Sequence, residues 1–194
     1  MNNKNTLTST SKFISLVLRH EPARAGLVPD GNGWVAIDDL LHGAEKAGRP
    51  ISPALLMEVV TSCPKQRFAI SEDGLRIRAS QGHSIAIDLG LQASIPPARL
   101  YHGTATRFLD SILRSGLDRR ARRHVHLSDN LATARTVGQR HGRVALLEID
   151  AARMHADGKV FHRSDNGVWL TDSVAPHYLQ LLPGQVNDEA RHRP

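Results

Sequence analysis

Apolar residues near the start of the chain recur at the spacing of an amphipathic helix. The positions that define this helical face are Phe13, Leu16 and Val17. A polar stretch at 8–11 comes just before them and can begin the helix. We therefore predict a first helix that runs from this stretch to about His20.

Capping residues predict two further helices in the first half of the chain. Asp38 follows the short apolar run 34–37, which is typical of a strand, and can cap the second helix. Ser52 is followed by proline, a residue favoured at the first position inside a helix. This pair predicts a third helix that runs to about Val60.

The last elements of the first half form a predicted β-hairpin. Apolar and polar residues alternate in 67–70 and in 75–79, and the turn between these runs contains Asp73 and Gly74. Three helices, a small strand and a hairpin are the elements of a winged helix, although other small α+β domains have the same elements.

A change in composition predicts a domain boundary near the middle of the chain. Residues 88–97 lack clear periodicity and end in Pro96-Pro97, which is typical of an extended linker. We predict two lobes, residues 1–90 and residues 91–194.

The second half shows many short strands and few helices. Strands are predicted at 99–102, 124–127, 144–149 and near residues 160, 169 and 179. One helix is predicted to stop at Gly116 and another to span 130–141. This list favours an α+β lobe over a doubly wound one. Neither a Rossmann nor a P-loop glycine motif occurs.

Positive charge is concentrated in one region of the chain. The net charge is +6, and ten arginines but only three aspartates lie between Arg99 and Arg143. Because guanidinium groups suit phosphate, this excess favours an anionic ligand, and the alternative is a set of solvated helix faces.

No segment is typical of a membrane span or of a secretion signal. The longest run without Asp, Glu, Lys or Arg, 173–187, contains polar residues and prolines, whereas a span needs about 20 apolar residues. The N-terminal residues offer no apolar signal core, and Cys63 is the only cysteine. We expect a cytoplasmic protein without disulfides and without a membrane partner.

The predicted strand at 124–128 has one polar face, which carries His124, His126 and Ser128. Either a ligand or solvent can account for such a face, while the alternate residues Val125 and Leu127 face the core. His-x-His can also chelate zinc, but the remaining Cys, Asp and Glu residues lack the spacing of a four-ligand set. We therefore predict no metal site.

Arg19 and His20 end the predicted first helix and allow two interpretations. A histidine in the last turn commonly stabilises the helix dipole. With the adjacent arginine, however, the pair can bind a phosphate on which the imidazole then acts. The turn 81–84 is likewise either structural or a tight turn that presents donors to a ligand.

The predicted strand–helix junction at 101–104 is a further candidate site. Gly103 lets a ligand approach the main chain, Thr104 can cap the helix, and His102 can point into the same space. We expect Gly103→Val to block a ligand without unfolding the lobe, provided that the backbone angles of Gly103 are not restricted to glycine.

Several short motifs follow one another along residues 10–182. They are Ser11-Lys12-Phe13, Leu18-Arg19-His20, Gly33-Trp34-Val35, Lys65-Gln66-Arg67-Phe68, residues 76–84, Leu100-Tyr101-His102-Gly103-Thr104, residues 122–128 and Asn166-Gly167-Val168-Trp169-Leu170. In this order they resemble the RNA 2′-phosphotransferase (KptA) family. Ser80 departs from the pattern, because family members commonly have asparagine there.

The resemblance implies an α+β fold with an N-terminal winged-helix lobe that binds RNA and a C-terminal ADP-ribosyltransferase-like lobe that binds NAD. For phosphate handling it implies Arg19, His20, Arg67 and Arg122, with Arg123 as the alternative to Arg122. For NAD binding it implies His102, Gly103, Thr104, His126 and Ser128.

The implied activity is NAD-dependent removal of an internal 2′-phosphate from RNA. The implied RNA is either a tRNA-like molecule or one that carries a splice junction. NAD is consumed as a co-substrate, and neither a metal nor an obligate protein partner is implied. One alternative is an ADP-ribosyltransferase that acts on a terminal phosphate of a nucleic acid or on a protein. Another is a winged-helix nucleic-acid binder without catalytic activity.

Overall fold

The helices and strands fall into two units in a computed structural model that describes residues 3–183. The first unit is Met1–Leu91 and the second is Gln92–Pro194. The chain therefore changes unit within the segment 88–97 that lacks periodicity.

The first unit combines α-helices with a three-stranded antiparallel sheet. Its elements are α1 (Asn3–Arg19), β1 (Val35–Ala36), α2 (Ile37–Lys46), α3 (Pro53–Thr61), β2 (Phe68–Ile70) and β3 (Arg76–Ala79). The central strand is β3, which pairs with both β1 and β2. The predicted hairpin is confirmed, with Phe68 opposite Ala79 and Ile70 opposite Ile77.

One apolar core joins the helices of the first unit to its sheet. Its fully buried side chains include Ile14, Leu18, Leu40 and Ile77. Burial of such side chains is the main favourable contribution to folding. The predicted start of α1 at 8–11 is too late, because Leu7 also packs against this core and extends the apolar face of the helix.

One predicted helix cap is confirmed and one is wrong. The Ser52 hydroxyl accepts a hydrogen bond from the Leu55 N–H at 3.2 Å and caps α3. The predicted cap by Asp38 is wrong, because α2 begins one position earlier and its N-cap residue, Ala36, has no side chain that can cap it. Asp38 lies instead in the first turn, where the helix dipole favours a negative charge.

The second unit combines α-helices with short antiparallel strands. Its elements are β4 (Arg99–Ala105), α4 (Leu109–Ser115), β5 (Leu117–Asp118), β6 (Val125–Leu127), α5 (Leu131–Gly138), β7 (Val144–Asp150), α6 (Ala151–Ala156), β8 (His162–Arg163), β9 (Trp169–Thr171), β10 (Ser173–Val174) and β11 (Leu179–Leu181). The strands form sheets in the orders β11-β7-β4, β6-β9-β8 and β10-β5. Small antiparallel sheets with helices confirm the α+β class.

The pair β4–β7 separates two apolar layers of the second unit. On one side Tyr101 packs against the small core that includes Ala134 of α5. On the other side Leu100 belongs to the larger core, together with Phe161. The predicted end of β4 at residue 102 is wrong, because pairing with β7 continues to Ala105.

The sequence pattern did not predict α6 or the two-residue strands β5 and β10. Asp150 ends β7 and also caps α6 by accepting a hydrogen bond from the Arg153 N–H at 3.1 Å. A helix this short has too few residues to show a 3.6-residue period. Within residues 3–183, no helix is long and apolar enough to cross a membrane.

Candidate functional site

The first-unit residues implied for phosphate handling lie together at the end of α1. Arg19 Nη2 donates a hydrogen bond to the main-chain oxygen of Arg67 at 3.3 Å. His20 Nδ1 lies 2.9 Å from the Oγ of Ser84. We call Arg19, His20, Arg67 and Ser84 the α1 cluster.

The turn 81–84 reaches this cluster because it caps the end of α1. The last carbonyls of a helix have no partner within the helix. The carbonyl of Arg19 accepts hydrogen bonds from the main-chain N–H groups of Ser84 at 3.0 Å and Ile85 at 3.4 Å. Gly82 has a φ of +88°, a conformation that favours glycine. The capping interaction thus places the Ser84 hydroxyl beside the imidazole of His20.

The members of the α1 cluster are accessible from solvent, in contrast to another residue of the same turn. His20 and Ser84 are exposed, and Arg19 and Arg67 are half-buried. His83, by comparison, is only 3% exposed and belongs to the interior. Two guanidinium groups and one imidazole can bind a phosphate and exchange a proton with it.

In the second unit, two histidines meet where β6 lies beside β4. His102 Nδ1 donates to the main-chain oxygen of His126 at 3.1 Å. Arg122 Nη1 lies 3.2 Å from His126 Nδ1. Since a guanidinium can only donate, Nδ1 of His126 must accept, and the proton of the neutral ring is on Nε2. We call Arg122, His102 and His126 the β6 cluster.

The main chain at the edge of β4 is part of the same region. Tyr101 and Ser128 exchange two main-chain hydrogen bonds of 2.7 and 2.9 Å, on the edge of β4 away from β7. Residues two apart in a strand direct their main-chain groups to the same edge. The N–H and C=O of Gly103 therefore face the same edge of β4, two residues beyond the pair Tyr101–Ser128.

Ser128 lies in the turn that precedes α5. Its hydroxyl accepts from the N–H and donates to the carbonyl of Asn130, both at 3.0 Å. Asn130 in turn caps α5 by accepting from the Thr133 N–H at 2.9 Å. The Ser128 hydroxyl is thus fixed by its own turn.

Gly103 has a packing role that the sequence pattern did not indicate. A Cβ atom at this position would lie 1.9 Å from the Ala134 carbonyl oxygen of α5 and 3.0 Å from the Gly138 nitrogen. The prediction that Gly103→Val leaves the lobe folded is therefore wrong. Because successive residues of a strand face opposite sides, the His102 side chain points away from α5.

Thr104 does not cap a helix as predicted. It lies within β4, and the following 3₁₀ turn, Thr106–Phe108, has Ala105 at its N-cap without a side-chain hydrogen bond. The Thr104 side chain is buried, with 6% of its surface exposed.

The predicted alternation along 124–128 is confirmed, because Val125 and Leu127 are 4% and 2% exposed. On the polar face, the ring centroid of His124 lies 5.9 Å from that of His162. Burial lowers the pKa of His124, and nearby positive charges, including Arg123, add to this effect. His124 is therefore a neutral packed ring near pH 7. No three His, Cys, Asp or Glu side chains within 3–183 are grouped to hold a metal ion.

Comparisons with known proteins identify the family to which the chain belongs. The model of the family described as RNA 2′-phosphotransferase, Tpt1 / KptA family, matches residues 5–173. A protein of Rhodopirellula baltica named "Probable RNA 2′-phosphotransferase" is 54% identical over 174 residues, which cover 89% of this chain and 95% of that protein. A protein of Pseudomonas fluorescens with the same name is 53% identical over 180 residues, 92% of this chain and 99% of its own length. The chain therefore belongs to the Tpt1/KptA family of RNA 2′-phosphotransferases.

Proposed function

We propose that this chain removes an internal 2′-phosphate from RNA by transferring it to the ADP-ribosyl group of NAD. In the first step an oxygen of the 2′-phosphate bonds to the ribose carbon that carries nicotinamide, and nicotinamide leaves. In the second step the ribose 2″-hydroxyl attacks phosphorus, and the bond from phosphorus to the RNA 2′-oxygen breaks. The products are nicotinamide, RNA with a 2′-hydroxyl and ADP-ribose 1″,2″-cyclic phosphate.

The α1 cluster is the observation that carries this proposal. In it, the Arg19 guanidinium donates to the main-chain oxygen of Arg67, and the imidazole of the next residue, His20, contacts Ser84. Planar guanidinium donors match the oxygens of a phosphate. An enzyme that modifies a protein side chain has no evident use for such a group of residues. The cluster therefore favours a phosphate acceptor over a protein side chain.

For the first step, we assign NAD to the edge of β4. Nicotinamide is bound as a cation and leaves neutral, so the step requires orientation more than a proton. The N–H and C=O of Gly103 on this edge offer one donor and one acceptor, which suit the carboxamide of nicotinamide. His102 is held through Nδ1, and the resemblance adds Thr104, His126 and Ser128 to the same set.

For the second step, we assign His20 as the general acid. The RNA 2′-oxygen does not leave readily as an alkoxide, so a proton must reach it as its bond to phosphorus breaks. Ser84 orients the imidazole through Nδ1. Arg19 and Arg67 would stabilise the charge on phosphorus. The resemblance adds Arg122 to the residues that handle the phosphate. We favour Arg122 over Arg123 because its guanidinium contacts His126.

The architecture supports a division of labour between the units. Three helices followed by a hairpin, with β3 paired to β1, support a winged-helix lobe for RNA. The antiparallel sheets with the polar edge of β4 support an ADP-ribosyltransferase-like lobe for NAD. The RNA substrate would then carry an internal 2′-phosphate, as in a splice junction of a tRNA-like molecule.

Nicotinamide release from three matched oligonucleotides tests the proposal. One oligonucleotide carries an internal 2′-phosphate, the second a 5′-terminal phosphate, and the third no added phosphate. We expect release that depends on the internal 2′-phosphate. Equal release with the terminal phosphate would favour the alternative ADP-ribosyltransferase, and no release with any of them would contradict a reaction with NAD.

A further inference from the structure

The thiol of Cys63 contacts the guanidinium of Arg67. The thiol follows α3 and is buried, with 8% of the residue exposed. Its Sγ accepts a hydrogen bond from Arg67 Nη1 at 3.1 Å. The main-chain N–H groups of Arg67 and Lys65 also hydrogen bond to the sulfur. Cys63 therefore contacts both the main chain and the side chain of Arg67.

The turn between Cys63 and Arg67 has an unusual backbone. Gln66 has a φ of +41°, in the left-handed region that residues other than glycine seldom adopt. Its N–H donates to the Cys63 carbonyl at 2.9 Å, and its own carbonyl accepts from the Ser80 hydroxyl at 2.9 Å. Such a conformation persists only when the surroundings fix it. The sulfur is one of the groups that fix it, because the N–H groups on both sides of Gln66 point to it.

The sulfur is a strong acceptor in this position. Burial alone would raise the pKa of the Cys63 thiol, but the N–H groups of Arg67 and Lys65 and the Arg67 guanidinium together lower it below its ordinary value. Because the guanidinium is charged, its hydrogen bond to the sulfur is charge-assisted.

The remaining contacts of Arg67 explain why its orientation matters. Its carbonyl accepts from the Ser80 N–H at 2.9 Å and from Arg19 Nη2 at 3.3 Å. A guanidinium has five N–H donors. The sulfur takes one of them, and the others can meet a phosphate.

We propose that Cys63 is a positioning residue whose sulfur orients the Arg67 guanidinium and the turn 63–67 for contact with the RNA 2′-phosphate. This inference rests on the proposed function, because Arg67 has its role only there.

The test compares Cys63→Ala and Cys63→Ser with the control Val59→Ala in the full chain. Val59 is a buried residue of α3 in the same core, and its truncation lowers stability without removing a contact to Arg67. The dissociation constant is measured for an oligonucleotide with an internal 2′-phosphate and for its 2′-hydroxyl counterpart. Each substitution is also combined with Arg67→Ala.

We expect Cys63→Ala to weaken binding of the 2′-phosphorylated oligonucleotide about threefold to tenfold, the range for losing one hydrogen bond. Binding of the 2′-hydroxyl oligonucleotide should not change. Cys63→Ser keeps an acceptor and should lose less. Val59→Ala should bind both oligonucleotides like the wild type, and Cys63→Ala should add nothing to Arg67→Ala.

Two results would overturn this inference and leave the proposed function unaffected. One is wild-type binding by Cys63→Ala while Arg67→Ala binds weakly, and the other is a further loss when both substitutions are combined. Wild-type binding by Arg67→Ala would overturn both this inference and the role of Arg67 in the proposed function, so the two failures can be told apart.

Discussion

In the α1 cluster, hydrogen bonds of single side chains hold the functional groups, whereas around the β6 cluster strand pairing and helix packing also fix the backbone. His20 is oriented by Ser84, and Arg67 by Cys63. The strand that carries His102 of the β6 cluster, β4, is paired along its whole length with β7, and α5 packs on its Gly103. The comparison indicates that the first cluster is sensitive to single polar side chains and the second to added bulk.

The largest effect is expected for His20→Ala, which removes the proposed general acid. Nicotinamide release should continue, and RNA that carries 2′-phospho-ADP-ribose should accumulate. Its decay should slow by about 10² to 10⁴, the range for losing a general acid or base. A single-turnover time course on labelled RNA measures both steps, with exposed His42→Ala as the control. If His20 only stabilises α1, the intermediate will not accumulate.

The next effect concerns the backbone of the second unit. Gly103→Ala places a Cβ atom 1.9 Å from the Ala134 oxygen, so α5 must move away from β4. We expect a loss of about 1–3 kcal/mol or more in the free energy of unfolding, as for other overpacked interiors. Denaturant unfolding measures it. Gly31→Ala is the control, because its Cβ would have no atom within 4 Å. Wild-type stability of Gly103→Ala would contradict the close packing of α5.

Arg67→Ala should act on turnover and not on the fold. Loss of a charge-assisted contact costs about 1.5–3 kcal/mol, which slows turnover about tenfold or more. Arg76→Ala, at the other end of the hairpin, removes surface ion pairs with Asp30 and Asp73 and a cation–π contact with Trp34, and should keep wild-type turnover. Equal turnover of both variants would remove Arg67 from the site.

The smallest effect is expected for Ser84→Ala. The main-chain N–H of residue 84 still caps α1, so the substitution removes only the hydroxyl contacts, at 2.9 Å to His20 and at 3.5 Å to the Arg19 carbonyl. We expect the second step to slow about twofold to tenfold, as for one neutral hydrogen bond. Ser84→Thr keeps the hydroxyl and should restore the rate. An unchanged rate in Ser84→Ala would show that His20 does not need this partner.

Local signals predicted part of this structure well. The Ser52 cap, the Asp73-Gly74 hairpin and the buried face of 124–128 each depend on residues close in sequence, and all three are confirmed. The sequence identifies 81–84 as a turn that either is structural or presents donors to a ligand. Its contact with the end of α1 joins residues that are far apart in the sequence, so local patterns cannot predict it. The sequence does not reveal why residue 103 is glycine. A ligand that approaches the main chain and a helix that packs against it both require a residue without a side chain, and the structure shows the helix.

Cys63 gave no signal at all in the sequence. A single cysteine without a partner or a metal-binding spacing predicts neither a disulfide nor a metal site. Its significance depends on the turn at Gln66, and a positive φ at glutamine is not predictable from residue type.

The most direct test of the central claim identifies the products by mass spectrometry. The protein is mixed with NAD and an oligonucleotide that carries one internal 2′-phosphate. We expect the oligonucleotide to lose the mass of its phosphate and ADP-ribose 1″,2″-cyclic phosphate to appear in equal amount. Dephosphorylation without NAD, with inorganic phosphate as the product, would contradict the claim.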